Sequence, residues 1–100
     1  MKLRLIRYRT KPDATERNRA LIENVFKELQ AKLPEGVRYM VLAFADGSFA
    51  HLVETGDGDS PLLQLDAFKA FQSGAKDRHI EPPQVGEAMI VGNYRMLGDR

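Results

Sequence analysis

The chain of 100 residues has no cysteine and no tryptophan. Without cysteine it can form no disulfide, no thiolate zinc site and no cysteine nucleophile, which suits a reducing compartment. No apolar run approaches the length needed to span a bilayer, so no membrane partner is expected. The start, MKLRLIRYRTK, alternates bases with apolar residues and has no apolar core of a signal peptide, so a cytoplasmic protein is expected. Charge is nearly balanced at +1, which gives no electrostatic case for nucleic acid. No glycine-rich phosphate loop, GxSxG or HExxH pattern occurs, so the sequence implies no cofactor and no metal. What remains is a soluble, globular composition: 43% hydrophobic and 29% charged, in one domain spanning residues 1–100.

Within this frame the dominant feature is Arg38–Glu54, RYMVLAFADGSFAHLVE. Two apolar runs, Tyr39–Ala45 and Phe49–Val53, flank Asp46-Gly47. Asp-Gly between such runs predicts a β-hairpin, because the tight turn needs positive φ. A two-residue turn would set Phe44 opposite Phe49, Leu42 opposite His51 and Met40 opposite Val53, all on one face. Ala43 with Ala50 and Val41 with Leu52 would share the other. Both faces are apolar, so a cover is expected on each side of the hairpin.

The flanking segments complete an alternating order. Lys2–Tyr8 has strand periodicity. Leu21, Ile22, Val25, Phe26, Leu29 and Leu33 recur at helical spacing and predict a helix over Ala14–Lys32. Asp13 with Glu16 resembles a capping box, and Pro34 and Gly36 mark the exit. Thr55–Asp59 reads as a connector, and Ser60-Pro61 as the start of a turn at Pro61–Gln64. Phe68, Phe71 and Ala75 form the apolar stripe of a second helix, Asp66–Arg78. Gln84–Met96 alternates again and predicts a last strand, followed by a short tail.

The order is βαββαβ. Right-handed crossovers then give a ferredoxin-like α+β fold: a four-stranded antiparallel sheet with two helices on one face and the first and third strands central. One sheet face is left open. A broad apolar face is an interface signal, and the simplest cover is a second copy, a homodimer packed sheet to sheet.

This order, the length and the segment FAHLVETGDGDSPLLQLDAFKAFQ resemble the dimeric α/β-barrel superfamily, in particular antibiotic-biosynthesis-monooxygenase-like domains. Glu54, Pro61, Phe68 and Phe71 sit where such domains carry a strand-ending glutamate, a loop and an aromatic second helix. The resemblance implies a dimeric barrel and admits cofactor-free quinone-forming oxygenases, haem-degrading enzymes and domains of no assigned role. The chain departs from the spaced histidines many monooxygenase-like members place at the second helix. It has Leu65-Asp66-Ala67-Phe68-Lys69-Ala70-Phe71 there. It also lacks the tryptophan and the first-strand asparagine of haem-degrading members.

His51, mid-strand in an apolar patch, is the candidate general base or ligand-orienting group, against the plainer reading of a hydrogen-bonded core histidine. Tyr8, Tyr39 and Tyr94 are candidates to line a pocket for an aromatic small molecule, against ordinary sheet tyrosines. His79, with Asp77 and Glu81 nearby, could ligate a metal or haem, but a histidine at a helix C-terminus explains it more cheaply. The function expected from these residues is a cofactor-independent oxygenase acting on an aromatic or quinone-like molecule; the alternative is a non-catalytic dimeric binding or accessory domain. An RNA-binding fold of the same element order fits poorly, because DGSFAHLV lacks the basic residue and aromatic spacing that such a strand needs.

Overall fold

A computed structural model describes residues 2–55 and 60–96. The expected connector after Thr55 and the tail after Met96 lie outside them. The elements are β1 (Lys2–Arg9), α1 (Thr15–Lys32), β2 (Arg38–Ala43), β3 (Ser48–Thr55), α2 (Asp66–Gln72), α3 (Ala75–Arg78) and β4 (Gln84–Ala88). The strands form one antiparallel sheet in the order β2-β3-β1-β4. β3 and β1 are central, as the ferredoxin-like reading requires.

The helices lie on one face. Ile22 and Val25 of α1 and Phe68 and Phe71 of α2 are buried against Tyr8 and Phe49 of the sheet. Each such side chain contributes about 1.5–3 kcal/mol when taken fully out of water. Leu62, in the 3-10 turn Pro61–Gln64, and Leu65 close the core from the connector side.

Four local expectations need correction. The capping box at Asp13 does not form. Pro12 instead opens a 3-10 turn, Pro12–Ala14, that places Asp13 inside the turn. The Thr15 hydroxyl then donates to the Lys11 carbonyl at 3.2 Å. The second helix is also not continuous, because Ser73 is extended and Gly74 is left-handed at φ 77°, separating α2 from α3. A glycine is the residue that takes this φ without strain.

The hairpin register differs by one residue. Val41 pairs with His51, Leu42 with Ala50 and Ala43 with Phe49. Phe44 accepts from the Gly47 N–H and donates to Ser48, so the connection is three residues long and ends on Gly47 at φ 86°. The Asp46 carboxylate accepts from the Ser48 N–H at 2.9 Å and holds the bend. This is a turn followed by a glycine bulge rather than a two-residue turn. A one-residue slip exchanges faces. Phe49, His51 and Val53 therefore share the helix-covered face with Tyr39 and Val41, while Met40, Leu42, Ala50 and Leu52 share the open one.

Finally, β4 stops at Ala88 rather than Met96. Ala88 already pairs with Leu3, and β1 begins at Lys2, so the partner strand is used up. The run that follows leaves the sheet, with Met89, Ile90, Val91 and Tyr94 all exposed.

Candidate functional site

The first signal is a histidine held by two tyrosines. His51 stands mid-strand on β3, opposite Ile6 on β1 and Val41 on β2. Two residues along those strands from Ile6 and Val41 stand Tyr8 and Tyr39, on the same face. The Tyr8 hydroxyl lies 2.8 Å from His51 Nε2, and the Tyr39 hydroxyl 2.6 Å from Nδ1. Both ring nitrogens are therefore engaged, and His51 is only 4% exposed.

The proton placement follows from the far end of the network. The Arg78 guanidinium can only donate, so the 3.0 Å contact from its Nε fixes the Asn18 amide with Oδ1 towards it. The Asn18 amide nitrogen then donates to the Tyr8 oxygen at 2.9 Å. With that oxygen accepting, the Tyr8 O–H is free to donate to His51 Nε2. Nδ1 carries the ring proton and donates to Tyr39, whose own O–H is left for a further acceptor. The opposite tautomer would give the Tyr8 oxygen two donors and leave its buried hydrogen unused, which costs more.

Electrostatics keep this set uncharged. Burial, with His79 adding to it, lowers the His51 pKa to about 4, so the ring is neutral at pH 7. Burial pushes Tyr8 up to about 12, against smaller opposing effects of Asn18 and Arg78. Burial, then the neighbouring Tyr8, also raises Tyr39. Both phenols remain hydrogen-bond donors across the physiological range.

The chain of polar groups opens on a cavity of about 370 Å³ between sheet and helices. Its walls are mostly apolar and aromatic: Ile6, Val53, Leu62, Phe68, Phe71 and Pro83. Tyr8, Tyr39, His51, Gln72, Lys76 and His79 supply its polar groups. A cavity of this size and lining fits a small aromatic molecule oriented by few hydrogen bonds.

Of the residues singled out from sequence, His51, Tyr8 and Tyr39 come together here. Tyr94 does not; it stands 82% exposed beyond β4 with the Arg95 guanidinium 5.4 Å from its ring. Glu54 lies on the open face and faces Arg38, with Oε2 3.6 Å from Nε. His79 reaches the cavity, its ring 4.2 Å from that of Tyr8, instead of simply ending a helix. Asn18 and Arg78 escaped sequence reasoning altogether. An asparagine on the apolar stripe of α1, four residues before Ile22, was the one available signal.

No family model matches the chain, and no curated protein matches it in sequence. Solved structures do. A protein from Nitrosomonas europaea provisionally named an antibiotic biosynthesis monooxygenase superposes with a TM-score of 0.72 at 15% identity, over 92% of this chain and 100% of its own. One of the same provisional name from Bacteroides thetaiotaomicron gives 0.70 at 16%, over 96% and 94%. A conserved protein from Methanosarcina mazei gives 0.67 at 18%, over 88% and 91%. The chain thus has the ferredoxin-like α+β fold seen in structures named as antibiotic biosynthesis monooxygenases.

Proposed function

We propose that the chain is a cofactor-independent oxygenase of the monooxygenase-like kind, acting in the cytoplasm as a homodimer on a phenol- or quinone-like aromatic molecule. The observation that carries this reading is the Tyr39 O–H, supported by neutral His51 and lining a 370 Å³ aromatic cavity. A bound phenol or phenolate oxygen would accept from Tyr39 and stack among Phe68, Phe71 and Tyr8. The substrate supplies all electrons. One oxygen atom of O2 enters the ring carbon para to the hydroxyl, the other leaves as water, and the phenol becomes a quinone. In this scheme Tyr39 stabilises negative charge developing on the substrate oxygen, and His51 orients Tyr39.

The homodimer rests on the open sheet face, where Leu42 is 47% and Phe44 42% exposed beside Met40 and Leu52. An apolar sheet surface of this kind is best covered by its own copy.

The experiment is oxygen uptake with 1-naphthol as probe, with the product followed by mass spectrometry. Uptake with formation of 1,4-naphthoquinone, lowered at least tenfold in Tyr39→Phe, supports the reading. Naphthol binding with no uptake favours the second reading, a non-catalytic binding domain. One observation favours that alternative: both His51 nitrogens are occupied by tyrosines, so His51 itself offers the cavity no free base.

A further inference from the structure

We propose that His79 and Lys76 form an acid-recognising end of the cavity, so that its ligand is a hydroxy-aromatic carboxylate rather than a simple phenol. This rests on reading the cavity as a ligand site.

Three observations meet at His79. Its Nε2 is buried and has no hydrogen-bond partner among the described residues. Buried polar nitrogens are rarely left so, and each one needs an explanation. The residue is also held in place from both sides. The Lys11 N–H donates to the Arg78 carbonyl at 2.8 Å, and the Ile80 N–H to the Arg9 carbonyl at 2.9 Å. These bonds pin its backbone against the end of β1, where it forms a bridge with Thr10. Its ring, packed at a 30° tilt against that of Tyr8, is thus pre-positioned and lines the cavity.

The third observation is charge. Among the described residues that line this cavity, Lys76 is the one charged side chain and none is a carboxylate. A smaller hollow that shares Lys76, His79 and Pro83 with it does include Glu81. A ligand acid group is therefore favoured in this cavity, beside Lys76, and opposed in the hollow that holds Glu81. With the phenolic oxygen at Tyr39 and a carboxylate at the other end, Nε2–H of His79 and the Lys76 ammonium each donate to one carboxylate. Charge-assisted hydrogen bonds of this kind are about twice as strong as neutral ones.

The test is isothermal titration of the full chain at pH 7.5 with 1-naphthol and with 5-hydroxy-2-naphthoic acid, the same naphthol with a carboxylate on its far ring. The acid is expected to bind at least tenfold tighter. Lys76→Met, an exposed position that leaves the fold undisturbed, should bring the two affinities within threefold. His79→Phe, which keeps an aromatic ring against Tyr8, should weaken the acid at least tenfold and leave 1-naphthol within threefold. His79→Gln should recover part of the loss. Equal or tighter binding of 1-naphthol to the native chain would overturn this proposal and leave the cavity reading standing. If neither probe binds, both fall.

Discussion

The Tyr39 hydroxyl lies 2.6 Å from Nδ1 of His51, although the two residues sit on different strands and one of them is a histidine in an apolar wall. This contact exists because the hairpin ends in a glycine bulge. With a two-residue turn, Tyr39 and His51 would face opposite sides of the sheet.

Gly47 is therefore expected to matter out of proportion to its size. Its Cβ position meets only ordinary contacts, the nearest being Thr15 Oγ1 at 3.6 Å, so the cost of Gly47→Ala lies in its φ of 86°. A loss of about 1 kcal/mol is expected in urea denaturation. A variant as stable as the native chain would contradict the bulge.

Stability should fall in acid. Folding lowers the His51 pKa from 6.5 to about 4, so below pH 6.5 the unfolded chain binds a proton that the folded chain refuses. The contribution is intact above the unfolded value and is lost as pH falls from 6.5 towards 4. Over the whole window it amounts to about 3 kcal/mol. His79 is lowered too, by burial and by Arg78, and acts in the same direction. Urea midpoints at pH 7 and pH 5 measure this, and His51→Gln should flatten the difference.

Asn18 is fully buried and joins Arg78 to Tyr8. Asn18→Leu leaves the Arg78 Nε–H without its acceptor and the Tyr8 oxygen without its donor and is expected to cost about 2–4 kcal/mol. Asn18→Asp keeps the partner of Arg78 but accepts from Tyr8 instead of donating. The Tyr8 proton then turns away from His51, and the ring proton should move from Nδ1 to Nε2. Nitrogen-15 shifts of the imidazole report that change, and an unmoved tautomer would count against the network as drawn.

Leu52→Asp places a charge in the middle of the open face, next to Ala50, Met40 and Leu42. Sedimentation velocity should show a dimer for the native chain and a monomer for the variant. A native monomer at micromolar concentration would remove the sheet-to-sheet dimer.

Much of this protein was legible in its residues. The period-2 run of β1, the 3.6-period stripe of α1 and the Asp46-Gly47 hairpin are local signals, set by sterics between near neighbours in sequence. They suffice for element order, and right-handed crossovers then limit the topology to one. His51, Tyr8 and Tyr39 were candidates because polar groups on apolar strands must find partners. Which partners they find was not legible. The hairpin register turned on one bulge residue, and with it which face His51 occupies. The length of β4 depended on how much of β1 was left to pair with it. Tyr8 meets His51 across 43 positions, and Asn18 meets Arg78 across 60. Contacts at such separations are chosen by packing of the whole sheet against its helices, so only the tertiary structure could assemble the site.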